Sequence, residues 1–253
     1  MIILKENEWA AEMIKSHTLG KKPAETLRRV ARYYLDNGYG VSETRRKLDE
    51  FMLRCDSDVS LPLWSDLLDR SVRAACHTKA ADIEYIGITR SEMTKIESVQ
   101  SRPAQRLAFT LLCLSKYFMS VYPACDHWVS TPNNEIMKMA DVSTSLKRQS
   151  QLYRILRDAD MIKFSKKVGN TNVQVTFCDE DESDIVLKVS DFRNLGYRYL
   201  MYHGEPYFEC ANCGIITKIR NPKNSRGQKY CRDCAVEVAT KQKVNYAMRK
   251  SRK

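Results

Sequence analysis

Hydrophobic residues recur at helical spacing through much of the first hundred residues of the chain. One clear stripe consists of Leu63, Leu67, Leu68 and Val72. Pro62 precedes this stripe, and its fixed φ angle suits the first turn of a helix. The pattern predicts a helical region over residues 1–100. We recognise no catalytic set of residues in this region.

Thr89 and Glu92 have the spacing of a capping box. In this motif each side chain hydrogen bonds to the free backbone amide of the other residue, so a helix begins directly after the threonine. The helical region as a whole can serve for oligomerisation or for docking a partner protein. The sequence leaves both possibilities open.

From residue 101 to residue 177 the order of predicted elements changes to three helices followed by a hairpin. The first helix places Leu107, Leu111, Leu114 and Phe118 on its buried face. The second begins at Thr131 and Pro132. Residues 141–143 then form a tight turn, in which Ser143 caps the third helix. This spacing resembles the helix-turn-helix.

Two short alternating segments follow the third helix, and Ile162 and Phe164 share the inward face of the first segment. Gly169 and Asn170 lie between the segments and favour the positive φ angles of a tight hairpin turn. Three helices followed by a basic hairpin resemble the winged-helix family of DNA-binding domains. We therefore predict a winged-helix domain over residues 101–190.

The winged-helix resemblance implies that the third helix enters the major groove of duplex DNA. The predicted contacts from its outer face are Thr144, Lys147, Arg148 and Gln151. The basic hairpin would lie along phosphates and fix the position of the domain without reading sequence. The predicted contacts from this wing are Lys163, Lys166 and Lys167. A winged helix that binds another protein is the alternative, because a fold does not determine a function.

Two Cys-x-x-Cys pairs, separated by 17 residues, lie near the C-terminus. The predicted metal ligands are Cys210, Cys213, Cys231 and Cys234. This spacing is typical of one structural zinc ion, with an iron site of the rubredoxin type as a less favoured alternative. Gly214 suits a zinc knuckle, and a helix is predicted from about Asp233. The segment resembles the treble-clef class of zinc modules, and the zinc ribbon is the alternative. We predict a third domain over residues 191–253.

Positive charge is concentrated in the same segment. The chain carries a net charge of +11, and residues 209–253 hold twelve Lys and Arg against three Asp and Glu. Such asymmetry favours a polyanionic partner, although a solvated tail has the same composition. The predicted nucleic-acid contacts here are Lys218, Arg220, Lys223, Arg226, Lys229, Lys241 and Lys243.

Aromatic residues precede the first cysteine pair, namely Tyr197, Tyr199, Tyr202, Tyr207 and Phe208. They favour two strands that bury a small core. Stacking on exposed bases is the alternative, because aromatic rings serve single-stranded nucleic-acid binders in this way.

Four segments of the chain, RLAFTLLCLSKY, IMKMADVS, SQLYRILRDADMI and ECANCG…KYCRDC, resemble uncharacterised proteins of bacteriophages and prophages of low-GC Gram-positive bacteria. This resemblance implies a role in phage replication initiation, helicase loading or transcription control. The expected location is the cytoplasm of the bacterial host. A reducing compartment also agrees with nine cysteines and no recognisable secretory signal.

The overall prediction is an α+β protein that binds nucleic acid, contains zinc and is not an enzyme. Duplex DNA is the favoured partner over RNA. The alternative is an adaptor that binds a polymerase, a helicase or the ribosome, with the zinc module on RNA. An enzyme is disfavoured because the four histidines have no paired spacing, and these are His17, His77, His127 and His203. No membrane partner is expected, since the longest apolar run spans only residues 107–114.

Overall fold

The structure is a computed structural model, and the fold is mixed α and β with small sheets. It divides into two compact units, Met1–Glu84 and Tyr85–Lys253. The division into three domains made from the sequence stays a prediction. The structure describes side chains as far as residue 244 and the backbone of residues 2–142, 145–166, 172–179, 181, 183–220 and 228–251.

The first unit contains four helices, which are α1 (Glu6–Lys15), α2 (Pro23–Asp36), α3 (Val41–Cys55) and α4 (Leu61–Cys76). Apolar residues of α2, α3 and α4 form its core, with Leu27, Leu48 and Leu68 fully buried. Pro62 lies in the first turn of α4 as predicted. Leu63 does not share the buried face, however, because its side chain is 85% exposed.

A buried carboxylate links α1 to α2. The Glu6 side chain accepts hydrogen bonds from Arg29 Nε at 3.2 Å and from Arg32 Nη1. Glu6 and Arg32 are only 6% and 8% exposed. The Glu6 carboxylate and the Arg32 guanidinium group therefore neutralise each other, because an unpaired buried charge is strongly destabilising.

Substituting Glu6→Ala is expected to lower the free energy of unfolding by about 3–5 kcal/mol, since it leaves the buried guanidinium group of Arg32 without its carboxylate. Urea unfolding, followed by tryptophan fluorescence, measures this loss. Glu12→Ala is the matched control, because Glu12 lies on the same helix and is exposed. It should change stability by no more than about 0.5 kcal/mol. Equal midpoints for both variants would contradict a stabilising role for Glu6.

The second unit is built around α6 (Arg102–Val121). Leu107, Leu111 and Leu114 are fully buried as predicted, and Phe118 is half-buried. Although α6 has 20 residues, no helix among the described residues combines the length and apolarity that crossing a membrane requires.

A strand precedes this helix, in a region that the sequence predicted to be helical. This strand, β1 (Ile86–Thr89), pairs antiparallel with β5 (Ile185–Val189), and Ile86 lies opposite Val189. The capping box of Thr89 and Glu92 is confirmed, with both hydrogen bonds present at the start of α5 (Arg90–Glu97). The prediction of continuous helices up to residue 100 was therefore wrong at β1.

From α6 onward the chain contains three helices and then two paired strands in the predicted order, with a short 3-10 helix and an additional strand that the sequence did not predict. A short 3-10 helix (Pro123–Cys125) and β2 (Trp128–Val129) follow α6, and then come α7 (Asn133–Met139), α8 (Leu146–Asp158), β3 (Ile162–Phe164) and β4 (Val173–Val175). The antiparallel strands are ordered β2-β4-β3.

Two local predictions about this segment were wrong. The N-cap of α8 is Ser145, whose side chain accepts a hydrogen bond from Arg148 N at 3.4 Å, whereas the predicted cap, Ser143, lies outside the described residues. Ile162 is buried, but Phe164 is 43% exposed and does not share its environment. Both Lys163 and Phe164 of β3 are therefore exposed to solvent.

The C-terminal part contains α9 (Leu195–Tyr202), β6 (Tyr207–Glu209), β7 (Ile216–Lys218) and α10 (Arg232–Ser251). Two strands were predicted for the aromatic segment. The first is wrong, because Tyr197, Tyr199 and Tyr202 lie on the helix α9, whereas Tyr207 and Phe208 lie on the strand β6. Tyr199 is fully buried, and its ring centroid is 5.5 Å from that of Phe109 on α6. This packing joins the C-terminal part to the central helix.

Candidate metal centre and nucleic-acid surface

Four cysteine side chains converge where the β6–β7 hairpin meets the start of α10. The sulfur atoms of Cys210, Cys213, Cys231 and Cys234 all lie within 4.8 Å of one another. Cys210 and Cys234 are buried, and the sulfurs of Cys213 and Cys231 are 3.8 Å apart. In the part of the chain that the structure describes, this is the one group of acidic, histidine or cysteine ligands compact enough to hold a metal ion.

The first cysteine pair occupies the turn between β6 and β7. The Cys210 amide donates to Ile215 O at 3.0 Å, and the Gly214 amide donates to Cys210 O at 2.8 Å. Gly214 has a φ angle of +71°, a conformation that glycine adopts without steric cost. These backbone features shape the turn that carries both thiols.

Amide groups donate hydrogen bonds to two of the four cysteine sulfurs. Cys231 N lies 3.2 Å from Cys210 Sγ, and Asn212 Nδ2 lies 3.3 Å from Cys234 Sγ. Burial opposes the charge on Cys210, but the amides of Cys231, Cys213 and Asn212 lower its pKa to about 6. Although the Asn212 amide favours the thiolate of Cys234, burial and the neighbouring thiols raise that pKa to about 12. A bound cation would favour the thiolate form of all four, because metals bind cysteine as the thiolate.

Two side chains from the loop before α9 hold the hairpin from outside. Arg193 Nη2 donates to Cys213 O at 2.5 Å, and Asn194 Nδ2 donates to Ile216 O at 3.2 Å. Asp191 accepts from Arg193 at 2.8 Å and orients the guanidinium group. The sequence analysis missed both residues, because no local spacing connects them with the cysteines.

The basic residues predicted around this centre lie on the surface where the structure describes them. Exposed side chains are Lys218, Arg220, Lys229, Lys241 and Lys243. Lys223 and Arg226 lie outside the described residues. The first three exposed residues belong to the hairpin and the loop before α10, close in sequence to the cysteines, and the last two lie along α10.

A second basic surface is formed by α8 and β3. Lys147, Arg148 and Gln151 are exposed on α8, and Arg148 Nη1 donates to Gln151 Oε1 at 3.3 Å. Lys163 and Lys166 are exposed on and just after β3. Thr144 and Lys167 lie outside the described residues. The described contacts predicted for α8 and the wing are therefore all accessible.

The inner side of α8 is fixed to α7 by hydrogen bonds. Asn133 Nδ2 donates to Gln149 Oε1 at 2.7 Å, and Tyr153 donates its hydroxyl proton to Asn133 Oδ1 at 2.8 Å. Burial raises the pKa of Tyr153. These bonds hold α8 in one rotation about its axis, so that Lys147 and Gln151 stay on the outer face.

The sequence analysis overlooked Leu146, whose side chain is 79% exposed at the first position of α8. Its position directly before Lys147 and Arg148, at the start of a polar helix, could have indicated that it is exposed. An exposed leucine among basic residues can contact the methyl group of a thymine, which is an apolar feature of the major groove.

A cavity of about 300 Å³ lies beside α6, lined in part by Lys116, His127 and Cys178. Ser115 Oγ is 3.1 Å from His127 Nδ1 and 3.4 Å from Cys178 Sγ. Burial raises the pKa of Cys178 to about 11, so this thiol is protonated at neutral pH. Lys116 donates to Glu92 at 2.9 Å. The cavity thus contains a neutral thiol and a paired ammonium group.

Comparison of the chain with family models, with curated proteins and with solved structures found no match.

Proposed function

We propose that the protein is a zinc-containing, non-enzymatic protein that binds duplex DNA through a winged helix. The observation that carries this proposal is the outer face of α8, which presents Lys147, Arg148 and Gln151 beside the basic strand β3. Phosphate contacts from the four-cysteine module would add affinity without sequence preference.

The order and pairing of the elements support a winged helix. Three helices, α6, α7 and α8, are followed by the β3–β4 hairpin, and β2 adds a third strand next to β4. The turn before α8 begins at Asp141, whose φ angle is +53°. A helix with its outer face free and its inner face packed on two others has the form that enters a major groove.

The chemistry of α8 supports base recognition. Arginine can donate two hydrogen bonds to guanine O6 and N7, and glutamine can pair with adenine N6 and N7. The Arg148–Gln151 hydrogen bond places the two side chains next to each other on the exposed face of α8. Lys163 and Lys166 lie on the hairpin side, where phosphate contacts fix the domain on the duplex.

The sulfur geometry supports a tetrahedral thiolate site, and zinc is the metal that such structural sites most often hold. A tetrahedral site with Zn–S distances of about 2.3 Å has sulfur–sulfur separations of about 3.8 Å, and Cys213 and Cys231 have this separation. Four protein ligands leave no open position, so the ion would be structural. Because α10 begins at Arg232, directly after Cys231, the treble clef is favoured over the zinc ribbon.

Substituting Arg148→Ala tests the proposed function. Loss of a bidentate guanine contact is expected to cost about 1–3 kcal/mol at the preferred sequence and to relax the preference at one base pair. Competition between randomised duplexes measures this preference. Arg154→Ala is the matched control, because Arg154 is an exposed arginine on the C-terminal half of the same helix. An identical base preference for both variants and the wild type would refute the reading role of α8.

The resemblance of four segments to phage proteins supports a role in phage replication or transcription control, in the cytoplasm of a bacterial host. An adaptor for a polymerase, a helicase or the ribosome is the second candidate. It requires an exposed apolar patch in the four-helix unit, where Leu63 is 85% exposed and Val41 is 55% exposed. A photo-crosslinker at position 63 would report this partner. The adaptor would be favoured if this protein crosslinks to a polymerase, a helicase or a ribosomal protein and does not bind duplex DNA.

A further inference from the structure

The metal-binding hairpin is packed against the helix α9. Tyr207 lies on β6, three residues before Cys210, and its ring centroid is 4.8 Å from that of Tyr197 on α9. Both rings are half-buried. Because β6 is paired with β7, the position of Tyr207 depends on the hairpin that carries the first cysteine pair.

The start of α9 is in turn pressed against the end of α7. A Cβ atom added to Gly196 would lie 2.1 Å from Ala140 O, so the two backbones touch. A separation below about 3 Å between such atoms requires a shift of the backbone, and only glycine permits this approach. Ala140 is the C-cap of α7 and the last residue before the turn to α8.

Asp141 connects the tyrosine pair with this turn. Its carboxylate accepts a hydrogen bond from Arg106 Nη1 at 2.8 Å. Burial raises the pKa of Tyr197 and of Tyr207, and the nearby Asp141 carboxylate raises both further. Asp141 has a positive φ angle, and α8 begins at Leu146. The contacts therefore run from the cysteine hairpin to the residues that set the start of α8.

We propose that the four-cysteine module positions the α7–α8 turn at Asp141 through two contacts, Tyr207 with Tyr197 and Gly196 with Ala140, so that metal occupancy controls how well α8 binds duplex DNA. The proposal rests on the proposed function of α8. It differs from a direct role of the module in phosphate binding. A lost phosphate contact makes the dependence of affinity on salt shallower, whereas a misplaced α8 lowers affinity at a nearly constant salt slope.

The substitution Asp141→Asn separates positioning from electrostatics. Asparagine keeps the positive φ angle, and removal of a negative charge by itself favours DNA binding. If Asp141 positions the turn, the variant binds duplex DNA about fivefold more weakly or worse, which is within the usual range of coupling between sites. The salt slope stays that of the wild type.

Asp160→Asn is the matched control for this substitution. Asp160 is also exposed, has a φ angle of +52° and lies just beyond the other end of α8. Its variant gains the same charge and is expected to bind as tightly as the wild type or more tightly. Equal tightening of binding by both variants would overturn the positioning role of Asp141.

Hydrogen exchange with and without metal tests the same link in the unmodified chain. Amides at the end of α7 and in the turn are hydrogen bonded, with Val142 N donating to Met137 O at 2.9 Å. Chelation of the metal is expected to speed exchange at residues 140–142. Peptides from α2, in the other compact unit, should not change.

The two measurements also separate this proposal from the proposed function. Unchanged exchange at residues 140–142 after the metal is removed, in a protein that binds duplex DNA, would overturn the positioning role and leave the DNA-binding function intact. Faster exchange in a protein that binds no duplex would support the structural link and refute the function of α8.

Discussion

Removal of the metal is expected to unfold the hairpin β6–β7 and the first turn of α10. Four buried or half-buried cysteines meet there, and the described residues around them supply little apolar core of their own. The binding free energy of a structural zinc ion, about 10–16 kcal/mol in small modules, is in effect the folding free energy of the module. Cys234→Ser should have the same effect, because it leaves three ligands.

Limited trypsin digestion measures this unfolding. Cleavage after Lys218 and Arg220 should be slow with metal bound and fast after chelation or in Cys234→Ser. Cys76→Ser is the matched control, since Cys76 is exposed in the other compact unit. Equal cleavage rates with and without metal would show that the hairpin folds without the ion, and the structural role of the four cysteines would be wrong.

Duplex binding is expected to weaken steeply as salt concentration rises. If six to eight phosphates are neutralised, the logarithm of affinity falls with the logarithm of salt at a slope of about −6, which is a loss of about 10³–10⁴-fold between 50 and 200 mM. The cations available in the described surface are on α8, on the wing and around the cysteines. They include Lys147, Lys163, Lys166, Lys218, Arg220, Lys229, Lys241 and Lys243.

Fluorescence anisotropy over a salt series measures this slope. Lys166→Gln is expected to weaken binding to all duplexes equally and to make the slope less steep by about one. Lys95→Gln is the control, because Lys95 is an exposed lysine on α5 that belongs to neither basic surface. A slope near zero for the wild type would contradict electrostatic binding to the DNA backbone.

Local patterns in the sequence predicted the elements that local physics determines. The capping box at Thr89 and the cysteine spacing each depend on residues that are close in the chain, and both occur in the structure as predicted. The start of α10 next to Cys231 also follows from its sequence. The capping box needs only hydrogen bonds within one turn, and each cysteine pair needs only one tight turn.

Features that depend on distant partners were missed or assigned wrongly. β1 has only four residues, and its stability comes from pairing with β5 far along the chain. The tyrosines of α9 were assigned to a strand because aromatic residues favour strands, yet burial of Tyr199 against α6 outweighs that preference. Arg193 and Asn194 support the cysteine hairpin through side-chain contacts that no spacing reveals.

The central claim is that the outer face of α8 binds duplex DNA. The most direct test compares binding of the full, zinc-loaded chain to duplex DNA, single-stranded DNA and RNA of the same sequence, with and without alanine at Lys147, Arg148 and Gln151. We expect the wild type to prefer the duplex and the triple variant to lose this preference. A preference for RNA or single strands, or duplex binding that the triple variant retains in full, would contradict the account.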